Sequence, residues 1–404
     1  MMNKPPKHIL SKTTFLYGCQ CQKRLWLHKF RSHLRSAPDA FTQARWKRGH
    51  DVGKDAQQLF PGGMDMTPAS PSQYPKAVQA TATAIADGIN VIYEATFQYR
   101  GVLIMLDILV RHADGWYGYE VKSSLDAKAI HIHDLALQSW VMWGAGLHLQ
   151  KVHLIHLNPG YVRGNTLNRQ ELFSIRDLTD EVLTWQPMIG EQVERELSWL
   201  QSPDEPIIAT GDHCWAPYAC DFAAYCGAEE PLIPDPPPPP ALSDCTCFVH
   251  LATVRPAVPL FAGQSPFQHI PYALSFIQVN NNESPKQQNY LAPQWPVREE
   301  ELVATFIQAT ATATSIAVDA SSALPRLITQ WKQRYPEYYT ALAGSEQKLV
   351  RTELWINDDH PQLLETKYGS WLRERNTEQK RFIEKQLRAH GIDLAQKIKA
   401  LFLP

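Results

Sequence analysis

The chain has 404 residues, 44% of them hydrophobic, and a formal net charge of −2. That length and apolar content supply cores for two ordinary domains and exclude global disorder. No stretch approaches the roughly 20 consecutive apolar residues of a membrane helix.

The charge is unevenly spread. Residues 1–54 carry twelve Lys or Arg against two acids, Asp39 and Asp51. Such a basic segment either contacts a polyanion such as DNA or forms a solvated basic helix. The opening MMNKPPKHIL has no apolar run of signal length behind it, so a soluble, cytoplasmic protein without a membrane partner is expected. In a reducing compartment the seven cysteines are expected to ligate a metal or cluster rather than form disulfides.

Taken in chain order, TTFLYGCQCQKRLWLHKFR (13–31) and residues 41–60 read as helices, with a further helix around 72–87. VIYEATFQY (91–99), GVLIMLDILV (101–110) and GWYGYEVKSS (115–124) read as three short strands. The turn signals Arg100-Gly101 and Ala113-Asp114-Gly115 separate them. A helix over 131–145 and a strand over 151–158 follow, then mostly helix from 171 to about 200. This order predicts an α/β domain in which an antiparallel meander joins a further strand through a crossover helix, giving a mixed sheet. Five consecutive prolines at 236–240 are stiff and extended, so a linker over 228–242 is expected between domains at 1–227 and 243–404. In the second domain, strands are expected in FVHLATVRPAVPL, YALSFIQVN and SIAVDAS (315–321), and helices over 298–311 and 377–401.

Two groups of residues carry chemistry. The first is Asp107 on an apolar strand, followed on the next strand by Glu120-Val121-Lys122. Strand side chains alternate, so Glu120 and Lys122 share a face. A hairpin brings Asp107 beside Glu120. Paired carboxylates repel unless a cation lies between them, and Mg²⁺ or Mn²⁺ takes such oxygen ligands. A metal held there lowers the pKa of water and polarises a phosphodiester oxygen, while Lys122 orients the water or neutralises developing charge. Glu94 on the preceding strand, Gln138 on the following helix and His50 are further candidates, His50 as a metal ligand or phosphate contact. The bland readings are a strand-edge acid, a helix-face amide and a surface histidine. The second group is Cys214, Cys220 and Cys226, spaced evenly in GDHCWAPYACDFAAYC, with Cys21 or its neighbour Cys19 far upstream. Four thiolates suit an iron–sulfur cluster, and a tetrahedral zinc site is the alternative.

Glu94, Asp107, Glu120-Val121-Lys122 and Gln138, in this order, resemble the motifs of the PD-(D/E)XK nucleases of the RecB type. The resemblance implies a restriction-endonuclease-like mixed sheet flanked by helices. It also implies a metal on Asp107 and Glu120, with His50 as a looser candidate, and Lys122 near the attacking water. FLYGCQCQKRLWL and CWAPYACDFAAYC resemble the two ends of the iron–sulfur branch of that superfamily. That branch includes the CRISPR-associated nuclease of spacer acquisition and the nuclease subunits of recombination-initiating helicase complexes. It implies a 4Fe-4S cluster on Cys21, Cys214, Cys220 and Cys226. DNA, as single strands or ends, is the implied partner, with Lys23, Arg24, Arg45, Lys47 and Arg48 as phosphate contacts and Trp26, Phe30, Phe41 and Trp46 available for stacking or core packing.

Residues 243–404 are similar to an RNase-H-like exonuclease domain of the DnaQ type. His250 and Ala252 stand where its first-strand acids belong, and Asp319-Ala320-Ser321-Ser322-Ala323 aligns with a later element. The expectation is an α/β domain that has lost its chemistry and binds DNA or a protein partner. Cys245 and Cys247 are expected to be structural. The competing reading of the whole chain is a non-catalytic nucleic-acid-binding scaffold with a structural metal cluster.

Overall fold

The computed structural model describes residues 10–38, 40–229, 245–280, 284, 286–292, 298–319 and 322–352. The expected Pro-rich linker falls almost wholly outside them, and the expected 377–401 helix entirely so. The chain divides into two compact units. One comprises residues 1–38, 46–231 and 257–266, and the other 39–45, 232–256 and 267–404. The segment 257–266, expected with the second domain, belongs to the first unit. There the Arg163 guanidinium donates to the Pro259 carbonyl at 2.6 Å, and the Arg163 N–H donates to the Gln264 carbonyl at 2.9 Å.

The first unit opens with β1 (Leu10–Ser11), α1 (Lys12–Gln20) and α2 (Gln22–Phe30). The single helix expected over 13–31 is two helices. Cys21 breaks it with an extended backbone (φ −161°, ψ 123°), capping α1 and starting α2. Ser11 and Thr14 form a capping box that fixes the start of α1. Then come α3 (Ala40–Gln57), β2 (Met64–Asp65), α4 (Tyr74–Ala86), β3 (Val91–Tyr99), β4 (Val102–His112), β5 (Gly115–Lys122), α5 (Ala129–Gly144) and β6 (Leu149–Leu157). The region expected as helix from 171 begins with a four-residue α6 (Arg169–Leu172). It continues as a strand, β7 (Phe173–Asp177), that pairs antiparallel with β6. Only then does α7 (Thr179–Trp199) start, followed by the short α8 (Ala223–Cys226).

The seven-stranded sheet runs β2-β3-β4-β5-β6-β7, with β1 beside β4. β3, β4 and β5 are the antiparallel meander. The α5 crossover makes β6 parallel to β5. The sheet is therefore mixed, as expected. The register of β5 positions the candidate site. β5 pairs with β4 only from Ile108↔Tyr119 to His112↔Gly115, while β1 pairs with Val102 and Leu103. Between these ladders β5 parts from β4, and Glu120, Val121 and Lys122 pair only with β6. Leu106, Leu109, Leu135, Leu137, Val141, Leu154 and Val193 are buried between the sheet, α5 and α7. α1 and α7 approach closely at Gly18, where a Cβ would lie 2.2 Å from Glu196 Cδ and force that carboxylate to move.

The second unit contains β8 (Cys245–Val254), β9 (Ile270–Asn280), β10 (Lys286–Leu291), α9 (Glu299–Thr310), β11 (Ser315–Asp319), α10 (Leu324–Arg334), α11 (Tyr339–Gln347) and β12 (Leu349–Thr352). Its sheet runs β10-β9-β8-β11-β12. The first three strands are antiparallel, and β11 and β12 continue parallel to β8. α10 buries Leu324, Leu327, Ile328 and Trp331, spaced i, i+3, i+4, i+7 on one face. Cys247 lies buried in this core, as a structural cysteine would. Among the described residues, no helix is long and apolar enough to cross a membrane.

Candidate functional site

Where β5 parts from β4, a side chain takes over the ladder. The Asp107 carboxylate accepts a hydrogen bond from the Val121 N–H at 2.6 Å. By register Asp107 faces Glu120 on one side and Glu94 on the other. Ile108 pairs with Tyr119, and Tyr93 and Ala95 pair with Ile108 and Leu106. Three acids on three successive strands thus stand at one level, and the charges of Glu120 and Glu94 act on Asp107. Glu94 is itself skipped by the ladder and holds a left-handed backbone, φ 53°. A non-glycine residue pays roughly 1–3 kcal/mol for such a conformation.

α5 closes the site from its buried face. Gln138 donates through Nε2 to Glu120 at 2.9 Å and to Asp134 at 3.2 Å. Its Oε1 is buried without a hydrogen-bond partner. Lys122 forms 2.5 Å ion pairs with both Glu120 and Asp134. A second ammonium enters from the first turn of α1. Lys12 lies 2.8 Å from Glu120 and 3.8 Å from Asp134.

The titration behaviour separates the acids. Burial, together with the charge of Glu120, pushes the Asp107 carboxyl well above its usual range. The same two causes raise Glu94 to about 7. Burial acts on Glu120 too, but the Lys12 and Lys122 charges override it and hold Glu120 well below the usual range. Burial opposes the charge on both lysines, and Asp134 and Glu120 more than offset it, so both are held protonated. His131, one helical turn before Asp134, is lowered to about 4 by burial and by the charges of Lys122 and Lys128.

Asp107, Glu120, Lys122, Glu94 and Gln138 are therefore brought together. His50 is not: it is exposed on α3 and is not among the groups whose charge acts on Asp107 or Glu120. Asp134 and Lys12 are members of the cluster that sequence reasoning missed. A signal existed for Asp134, which precedes Gln138 by four residues and so shares its helix face. Lys12 offered none, since its approach depends on the path of α1. Among the described residues, no group of three or more His, Cys, Asp or Glu side chains is arranged to hold a metal ion as it stands.

The cysteines converge elsewhere. Cys21, Cys214, Cys220 and Cys226 line one pocket together with Lys23, Arg24 and His213. Cys21 reaches it because of the break between α1 and α2. Cys214 ends a tight turn, its carbonyl accepting from the Cys220 N–H at 2.7 Å. Cys226 closes α8 ahead of Gly227, whose φ of 67° ends the helix. The last residue of α1 and several of α2 fasten this segment in place. Gln20 donates to the His213 and Tyr218 carbonyls at 2.6 and 2.8 Å, Arg24 pairs with Asp221 at 2.9 Å, and Trp26 and Leu27 pack on Phe222. Burial raises the Cys220 thiol to about 11, and burial with the neighbouring Cys21 and Cys214 raises Cys226. Cys19 points away, donating to Glu196 at 3.7 Å.

The candidate phosphate contacts lie in two places. Arg24 is buried and paired with Asp221, and Lys23 pairs with Glu205 at 2.9 Å, so both serve the wall of the cysteine pocket. Arg45 and Arg48 are half-buried on α3, and Lys47 is exposed and bridged to Asp51 at 2.6 Å. Trp26 is core, whereas Phe30 and Trp46 are exposed. The Phe41 side chain lies outside the described residues.

A family model described as a domain of unknown function, DUF2779, matches residues 247–361. No curated protein matches the chain significantly. The crystal structure of SSO0001 is similar at 13% identity, covering 56% of this chain and 89% of that one, with a TM-score of 0.27. Likeness at that level carries no argument about fold or function.

Proposed function

We propose that the first unit is a divalent-metal-dependent DNA nuclease. The observation that carries this reading is the level row Glu94–Asp107–Glu120, with Lys122 and Gln138 at its edge. Four carboxyl groups, counting Asp134, face the two ammoniums of Lys12 and Lys122. Burial and the charge of Glu120 make Asp107 and Glu94 hard to ionise, and a divalent cation bound among them would offset the charge they gain on losing their protons. The donors are hard oxygens, which suit Mg²⁺ or Mn²⁺. Asp107 and Glu120 would hold the ion. When bound, it supplies Lewis acidity toward a phosphodiester oxygen and acidifies water. Lys122 orients that water and neutralises charge as the phosphate is attacked. Gln138 and Asp134 fix Glu120 and Lys122. Products with a 5′ phosphate and a 3′ hydroxyl, and single strands or ends as substrate, follow from the family resemblance.

The cysteine pocket is read as the seat of a 4Fe-4S cluster on Cys21, Cys214, Cys220 and Cys226; what supports this is that the four soft donors line one space with Lys23 and Arg24. A cluster there would tie the start of the unit to its end. The parting of β5 from β4 supports a restriction-endonuclease-like sheet. The β10-β9-β8-β11-β12 order supports an RNase-H-like second unit. Its first strand carries His250 and Ala252 in place of acids, which favours a binding role for that unit. The competing reading, a non-catalytic nucleic-acid-binding scaffold, is favoured by one feature: lysines already occupy the space around Glu120.

The test is digestion of end-labelled single-stranded DNA with Mn²⁺ by the wild type, Asp107→Ala and Lys122→Ala. Cleavage by the wild type alone supports the reading. Equal cleavage by all three, or by none, rejects it.

A further inference from the structure

Lys12 is not part of the acid–acid–lysine pattern, yet its ammonium lies 2.8 Å from Glu120, the most buried acid of the row. It is held there by geometry rather than by chance of rotamer. The Ser11–Thr14 capping box fixes the first turn of α1. Gly18 seats the middle of that helix against α7. Cys21 ends it, with its N–H donating to the Tyr17 carbonyl at 2.8 Å. Nine residues of helix, about 14 Å long, therefore run from the carboxylate row to the cysteine pocket.

We propose that Lys12 is a built-in counter-cation of the carboxylate row, one that a divalent ion must displace or tolerate on binding. The inference rests on the metal reading above and specifies how that site is regulated. A divalent ion approaching Glu120 meets the repulsion of the ammoniums already placed there. Lys122 differs, since Asp134 at 2.5 Å gives it a second close partner. At 3.8 Å from Asp134, Lys12 has a weaker second contact, so of the two ammoniums it is the one less firmly paired. Lys12 thereby offsets part of the row's charge, and divalent-ion affinity is set lower than the donors alone would give.

The test is Mn²⁺ titration by calorimetry of the full chain: wild type, Lys12→Met, Lys12→Arg and Asp107→Ala. Lys12→Met is expected to bind Mn²⁺ about tenfold more tightly or better, Lys12→Arg like the wild type, and Asp107→Ala weakly or not at all. Equal or weaker binding by Lys12→Met, with Asp107→Ala still defective, overturns the role of Lys12 and leaves the metal reading standing. No Mn²⁺ binding by any of the four overturns both. Lys12→Met leaves Glu120 with one counter-charge fewer, so melting is followed alongside. The expected Mn²⁺-induced rise in Tm is larger in Lys12→Met than in the wild type, and an equal or smaller rise counts against the proposal.

Discussion

Glu94 stands opposite Asp107 across the β3–β4 ladder and adopts a left-handed backbone there, φ 53°. The strain and the uncompensated burial of its carboxyl act together, and burial raises its pKa to about 7. Both are stability costs accepted at a site. Glu94→Gly is expected to raise stability by about 1 kcal/mol while lowering Mn²⁺-dependent cleavage. Urea denaturation with a paired activity assay reads both, and a less stable variant would show that Glu94 is locally satisfied.

Asp134 holds Lys122 from behind at 2.5 Å and shares Gln138 with Glu120. On the proposed nuclease reading it positions Lys122 and Gln138 and does not itself meet the substrate. Asp134→Asn is therefore expected to lower kcat about 10–100-fold with little change in KM for DNA. Single-turnover and steady-state kinetics separate the two, and an effect confined to KM would place Asp134 in substrate binding.

The two neighbouring cysteines differ in direction. Cys21 lines the four-cysteine pocket and Cys19 faces Glu196. Anaerobically purified Cys19→Ser is expected to keep the broad absorbance near ~400 nm of an iron–sulfur centre, and Cys21→Ser to lose it. A colourless wild type with stoichiometric zinc would replace the cluster by a zinc site.

Glu196 is fully buried, and burial raises its carboxyl to about 8 from an ordinary 4.5. Its folded pKa exceeds its unfolded one, so its stabilising contribution is complete below pH 4.5. That contribution is lost as pH rises to about 8. Relative to Glu196→Gln, the wild type is expected to lose Tm across that window and then run parallel. A Tm difference that is constant from pH 4.5 to 9 would contradict the assignment.

The meander, the crossover helix and the parallel β6 were legible because period-two apolar runs and turn residues marked each boundary. Asp107, Glu120 and Lys122 were legible for the same reason, since alternation within short strands decides which side chains share a face. Residues 173–177 misled because β7 is an edge strand whose exposed charges, Arg176 and Asp177, read as a helix surface. The break at Cys21 was hidden because Gly18, the residue of FLYGCQCQKRLWL that most disfavours helix, lies inside α1, and no Gly or Pro marks position 21 itself. Lys12, Arg24 and Lys23 were assigned by charge alone or passed over, and charge does not say which acid a cation will meet. Asp221 and Glu205 met Arg24 and Lys23 from nearly two hundred residues away.

The central claim is that Asp107 and Glu120 share one divalent ion. Anomalous diffraction from a Mn²⁺-soaked crystal measures this directly. The expected result is a manganese peak within about 2.5 Å of oxygens from both carboxylates, absent from Asp107→Ala crystals. A fully soaked crystal with no peak there, and with Lys12 and Lys122 still paired to Glu120, would contradict it.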